Sequence, residues 1–117
     1  MRCKKCRQPG SPVNTLLLRL DAIKPVSLLS ACSGYDYEGH HNLPEHPYIL
    51  FTVKDLKTLE NLWKKVFSRL SVPAYLIYNG ANQFLFEVAL PQDWPNRTDI
   101  LTSLWGELDS RIKEFNL

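Results

Sequence analysis

The chain has 117 residues, enough to bury one core and near the lower end of domains that do so, so a single domain is expected. Its 44% hydrophobic and 22% charged residues are ordinary for a globular protein. No apolar run approaches the ~20 residues that cross a bilayer, and the N-terminus lacks the apolar segment of a signal peptide, so a soluble cytoplasmic protein without membrane contact is expected. The net charge of +2 is unevenly spread: residues 1–13 hold Arg2, Lys4, Lys5 and Arg7 and no acid, whereas the remainder keeps 10 of the 14 basic residues against all 12 acids.

Residues 1–13 read as a basic N-terminal arm, because they show no periodic pattern and Pro9-Gly10-Ser11-Pro12 is a cluster of turn formers. Residues 14–117 read as the domain. At 14–23, Leu16, Leu20 and Ile23 fit a helix face that Asn14 caps. Leu16, Leu18 and Leu20 also alternate with Arg19 and Asp21 as in a strand, and the helix is the preferred reading. Lys24-Pro25 ends the segment, and residues 26–32 read as a short strand. Residues 33–47 form a long polar loop with Gly34, Gly39, Pro44 and all three histidines.

The most regular pattern spans residues 48–90. Tyr48-Ile-Leu-Phe-Thr-Val53 is a continuous apolar run, as expected for a strand covered on both faces. Asp55 then caps a helix over 55–70 whose apolar stripe is Leu56, Leu59, Leu62, Trp63, Val66, Phe67 and Leu70. Trp63 and Phe67 are expected to be buried against the strands, and Pro73 forbids continuation. Strands at 74–78 and 83–90 flank Asn79-Gly80, which tolerates the positive φ angles of a hairpin turn. After a loop at 91–95 a final helix begins near Thr98, with Ile100, Leu101, Leu104, Trp105, Leu108, Ile112 and Phe115 as its buried stripe. Gly106 inside it costs roughly 1 kcal/mol relative to alanine and marks a close packing contact.

Two strand–strand–helix units follow one another in this pattern. Their helices share Leu62-Trp63 and Ser68-Arg69 with Leu104-Trp105 and Ser110-Arg111 at the same internal spacing. The segment lengths and loops do not otherwise align, so coincidence between two amphipathic helices explains the match as well as duplication does.

Few residues point to chemistry. Cys3-Lys-Lys-Cys6 has the spacing of a zinc knuckle, but four ligands are needed and no second pair stands at a standard distance. A flexible tail with two free thiols is the preferred reading, because the further ligands are missing. His40, His41 and His46, with Asp36, Glu38 and Glu45, supply metal-ligand types without the spacing of a helical site, and read as solvated loop residues. Cys32 near a histidine invites a nucleophile–base reading, although a lone cysteine ending a strand is more often core. Tyr35, Tyr37 and Trp94 are aromatics in loops, of the kind that anchor protein interfaces. The arm residues Arg2, Lys4, Lys5 and Arg7 attract phosphates and suit nucleic acid.

The fold class expected is α+β: an antiparallel sheet of about four or five strands with the helices at 55–70 and 98–115 packed on it. This order of elements is loosely similar, at the level of fold alone, to small secretion-chaperone-like domains. No catalytic or cofactor signature is present. The expected function is therefore a non-enzymatic protein-binding module (an adaptor, small chaperone or inhibitor-type partner) that binds through Tyr35, Tyr37 and Trp94. The alternative is a nucleic-acid-binding protein using the arm, with zinc on Cys3 and Cys6. An enzyme centred on Cys32 and the histidine loop is the third reading.

Overall fold

The computed structural model describes residues 13–34, 47–90 and 94–115. The arm, apart from Val13, and the histidine loop at 35–46 lie outside the described residues. In chain order the elements are α1 (Asn14–Asp21), β1 (Val26–Cys32), β2 (Tyr48–Val53), α2 (Leu56–Lys65), a 3-10 turn at Phe67–Arg69, β3 (Ala74–Tyr78), β4 (Gln83–Val88) and α3 (Arg97–Phe115). The strands form one four-stranded antiparallel sheet in the order β1-β2-β4-β3. This is the expected α+β architecture, with α1 added where residues 14–23 carry both periods.

Paired residues of an antiparallel ladder project to the same side of the sheet. One side therefore carries Val26, Leu28 and Ala31 of β1, Ile49, Phe51 and Val53 of β2, and Phe86 and Val88 of β4. All of these are buried in one cluster with Leu17 and Leu20 of α1, Leu62 of α2, and Leu101, Leu104, Leu108 and Ile112 of α3. The three helices thus share one face. On the other face of the inner strand β2, Leu50 is buried while Tyr48 and Thr52 are half-buried, so the expected cover on both faces is complete only at Leu50.

In α1, Leu16, Leu17 and Leu20 are buried and Leu18 is exposed, which is helical spacing and not alternation. Asn14 does not cap it. The N-cap is Val13, which makes no side-chain cap, and Asn14 is already helical. Burial of Val13 in the core fixes this start, and its carbonyl accepts from the Leu17 amide at 3.0 Å. At the far end the Asp21 carboxylate accepts from the Leu28 amide of β1 at 2.8 Å.

Asp55 caps α2 as expected: its carboxylate accepts from the Thr58 amide at 2.7 Å and from the Thr58 hydroxyl at 3.0 Å. The helix stops short of residue 70, however. The Ser68 hydroxyl and Arg69 Nε both donate to the Lys64 carbonyl, at 3.2 and 3.0 Å. That oxygen is the acceptor a continued helix offers to the Ser68 amide, and the chain tightens into the 3-10 turn instead. Phe67 lands where expected, 2% exposed, and stacks on Phe86 at 4.5 Å and Phe51 at 5.8 Å between ring centroids. Trp63 does not; it is 40% exposed. Neighbouring positions on a helix differ by about 100° in direction, and Leu62 takes the one that faces the core.

α3 buries Leu101, Leu104, Trp105, Leu108 and Ile112 of the stripe its periodicity indicates, while Ile100 and Phe115 at its ends are half-buried. Gly106 is a correction: a Cβ built there meets nothing within 4 Å, so no close contact requires it. Its backbone freedom is a cost without a packing return.

These placements separate three substitutions. Phe67→Ala is expected to cost about 3–5 kcal/mol in urea denaturation, whereas Trp63→Ala costs under about 1 kcal/mol because its ring is already wet. A Trp63→Ala loss equal to that of Phe67→Ala would mean the face of α2 is rotated. Gly106→Ala is expected to stabilise by about 0.5–1 kcal/mol, read as a higher urea midpoint at unchanged slope.

Candidate functional site

Among the described residues the four-stranded sheet has two edges, each a row of backbone donors and acceptors lacking a strand partner. The β1 edge is covered. Its residues are mostly buried, Asp21 takes the Leu28 amide, and a register shift between Leu28 and Ser30 interrupts the ladder. The β3 edge differs on each count. Its sequence, Ala-Tyr-Leu-Ile-Tyr, contains no charge, its pairing with β4 runs without a shift, and none of its residues is fully buried. Tyr75, Ile77 and Tyr78 are 49%, 44% and 63% exposed. Protected edges usually carry an inward lysine, a proline or a bulge; here Pro73 stands just before the strand and nothing follows it.

The register extends this edge across the helix-free face. Leu50, Leu85 and Ile77 form one row across β2, β4 and β3, and Tyr48, Glu87 and Tyr75 form the next. Towards β1 the same face turns polar with Ser27 and Ser30, and the Ser30 hydroxyl meets the Tyr48 hydroxyl at 3.0 Å. Exposure rises along the apolar row from buried Leu50 through half-buried Leu85 to exposed Ile77. At the end of β3 the Tyr78 ring lies 5.4 Å from Phe84 at 49°.

The hairpin turn that sets β3 on the outside is tight. The Asn79 amide donates to the Gln83 carbonyl and the Gln83 amide to the Gly80 carbonyl, both at 2.8 Å. Positive φ falls on Gly80, Ala81 and Asn82, one residue later than the Asn-Gly pair implies. Val53 also donates to the Asn82 carbonyl at 3.4 Å, which ties the turn to the end of β2.

The residues singled out from sequence are placed as follows. Tyr35, Tyr37, the three histidines, Arg2, Lys4, Lys5, Arg7, Cys3 and Cys6 lie outside the described residues. Trp94 is 54% exposed, outside the core as its loop position implies. It stands in the approach to α3 and not in β3. The start of α3 is held firmly: Arg97 Nη1 donates to the Gly34 carbonyl, and buried Trp105 donates through Nε1 to the Ser33 carbonyl at 2.8 Å. Gly34 has φ of +79°, and a Cβ there would meet Arg97 Nη2 at 3.0 Å and Leu101 and Pro47 at 3.3 Å, so glycine is required. Burial lowers the Arg97 guanidinium from its ordinary value, with neighbouring Cys32 opposing the shift.

Cys32 is itself fully buried, as a core cysteine would be. Among the described residues no group of three or more His, Cys, Asp or Glu side chains is placed to hold a metal ion, and no helix is long and apolar enough to cross a membrane. Scans against protein-family models, curated proteins and solved structures each find no significant match.

From sequence, Tyr75, Ile77 and Tyr78 read only as members of a hairpin strand. The available signal was the missing alternation: neither face of residues 74–78 is polar, and no charge protects the strand. Burial of Cys32 has a direct check. In a Cys3→Ser, Cys6→Ser background, a bulky thiol reagent is expected to label Cys32 only after denaturation. Stoichiometric labelling of the folded protein within seconds would return Cys32 to the candidate nucleophiles.

Proposed function

We propose that the protein is a non-enzymatic protein-binding module that receives an extended segment of another protein along β3. Such a segment would add a fifth strand, pairing its backbone with the open edge while its side chains cover Tyr75 and Ile77. The single observation that carries the reading is the uncharged, exposed and regular edge of β3 beside the apolar row Leu50, Leu85 and Ile77. Main-chain pairing supplies affinity in this mode, and pockets between alternate side chains supply selectivity. Adaptor, small-chaperone and inhibitor-type roles all fit a module of this kind. Trp94 and the loop aromatics Tyr35 and Tyr37 belong to the proposal as further anchors.

The test takes a partner identified by co-purification and titrates it by calorimetry against edge variants. Tyr75→Lys and Ile77→Lys are expected to weaken binding by more than about 1 kcal/mol while leaving the circular dichroism spectrum unchanged. Trp94→Ala is expected to weaken it too if that ring lies at the rim. Unchanged affinity in both lysine variants would remove the β3 edge. A dimer in sedimentation equilibrium that Ile77→Lys dissolves would assign the edge to a second copy of the chain.

A further inference from the structure

The C-terminal parts of α2 and α3 converge on a cavity that the β3 edge does not use. It has a volume of about 230 Å³, opens to solvent, and is lined by Lys65, Arg69, Arg111, Glu114 and Phe115. Three cations face one acid there. Of the other acids on these two helices, Asp99 stands in the first turn of α3, away from the cavity at its last turn, and three are committed elsewhere. Glu60 accepts from Lys64 at 2.9 Å, and that bond together with the lysine's charge holds its carboxyl below the ordinary value. Asp109 pairs with Arg19 and, at 3.4 Å, with Lys113. Glu107 accepts from the Ser71 hydroxyl at 2.8 Å. Among the described residues no ion pair engages Lys65, Arg69 or Arg111.

The arginines are also oriented. Arg69 Nε donates to the Lys64 carbonyl at 3.0 Å, which fixes the plane of the guanidinium. Arg111 is half-buried on α3, one turn before Phe115. Two planar forks and an ammonium around one opening suit an anion with several oxygens, because each can accept charge-assisted hydrogen bonds from a different direction. The excess of two positive charges matches a dianion. Its volume of about 230 Å³ has room for a phosphate-sized anion and part of a substituent, with the half-buried ring of Phe115 as an apolar wall.

We propose that this cavity binds a small phosphate monoester, with its phosphate on Lys65, Arg69 and Arg111 and its substituent against Phe115. A long polyanion fits less well. Residues 14–117 carry a net charge of −2, which gives a long polyanion little overall attraction.

The experiment is calorimetric titration of the full chain, at constant ionic strength, with inorganic phosphate, phenyl phosphate and a short single-stranded oligonucleotide. Phenyl phosphate is expected to bind, and more tightly than inorganic phosphate because only it reaches Phe115. Arg111→Gln and Lys65→Gln are each expected to weaken phenyl phosphate by about fivefold or more. Arg69→Gln also removes a bond that closes α2, so it is interpreted only alongside a native melting temperature. Glu114→Gln supplies a variant with the opposite sign: it leaves every cation in place and is expected to tighten binding about twofold or more. Lys24→Gln, outside the cavity, is expected to change nothing. Absence of heat with both phosphates at about 10 mM would overturn the proposal. So would equal affinity in wild type, Arg111→Gln and Lys65→Gln. Binding of the oligonucleotide without binding of phenyl phosphate would replace it with a nucleic-acid surface.

Discussion

The fold depends on one aromatic stack. Phe67 rests on Phe86 at 4.5 Å and on Phe51 at 5.8 Å, and Phe51 and Phe86 sit on the two inner strands β2 and β4. A single side chain from the end of α2 therefore bridges both halves of the sheet. Aromatic pairs at these separations add to the large area their rings remove from water. The capture of Phe67 also accounts for the shape of α2. Val66 and Phe67 are both buried at the point where α2 ends. The break at Val66, with φ of −119° and ψ of −73°, and the 3-10 turn after it let both side chains reach the core. Ser68 and Arg69 then satisfy the carbonyl that the break exposes.

That break shows what periodicity can and cannot deliver. The apolar stripe of α2 located the helix, its cap Asp55 and its anchor Phe67, because those follow from local spacing and from a carboxylate placed beside unpaired amides. It did not distinguish Phe67 from Trp63. Both sit in the stripe, and only the sheet beneath decides which direction is covered. The same limit applies to Asn14, whose side chain has the chemistry of a cap but was displaced from that position by the burial of Val13. The close contact expected at Gly106 is absent for a related reason. A glycine in a helix is silent in sequence about whether another backbone approaches it, and here none does.

The candidate surfaces were less legible than the fold because they arise from juxtaposition. Strand 74–78 was recognised, but its place at the edge follows from the order β1-β2-β4-β3, which no single segment encodes. That order has its own logic. The second strands of the two strand–strand–helix units lie side by side and antiparallel at the centre, with the first strands outside, as a two-fold relation between the units requires. Ser68-Arg69 and Ser110-Arg111 recur in the two helices, and both arginines line the same cavity. The recurrence visible in sequence thus coincides with a shared location, although the unequal strands and loops keep the relation approximate.

One further step concerns the sheet's free face. With three helices on one side, the described part of the sheet meets two different solutions on the other. Near β1 the one exposed position is Ser27, with Ser30 buried beside the Tyr48 hydroxyl, and the edge itself is closed by Asp21 and by the register shift. Near β3 the exposed positions are tyrosine and isoleucine. Stability does not demand that choice, because a half-wet edge strand is served nearly as well by threonine, and solubility argues for lysine. Among the described residues, one edge is guarded by several means and the other is left open. On the reading proposed above, a bound strand would satisfy the unpaired backbone of this edge and cover its exposed rings together.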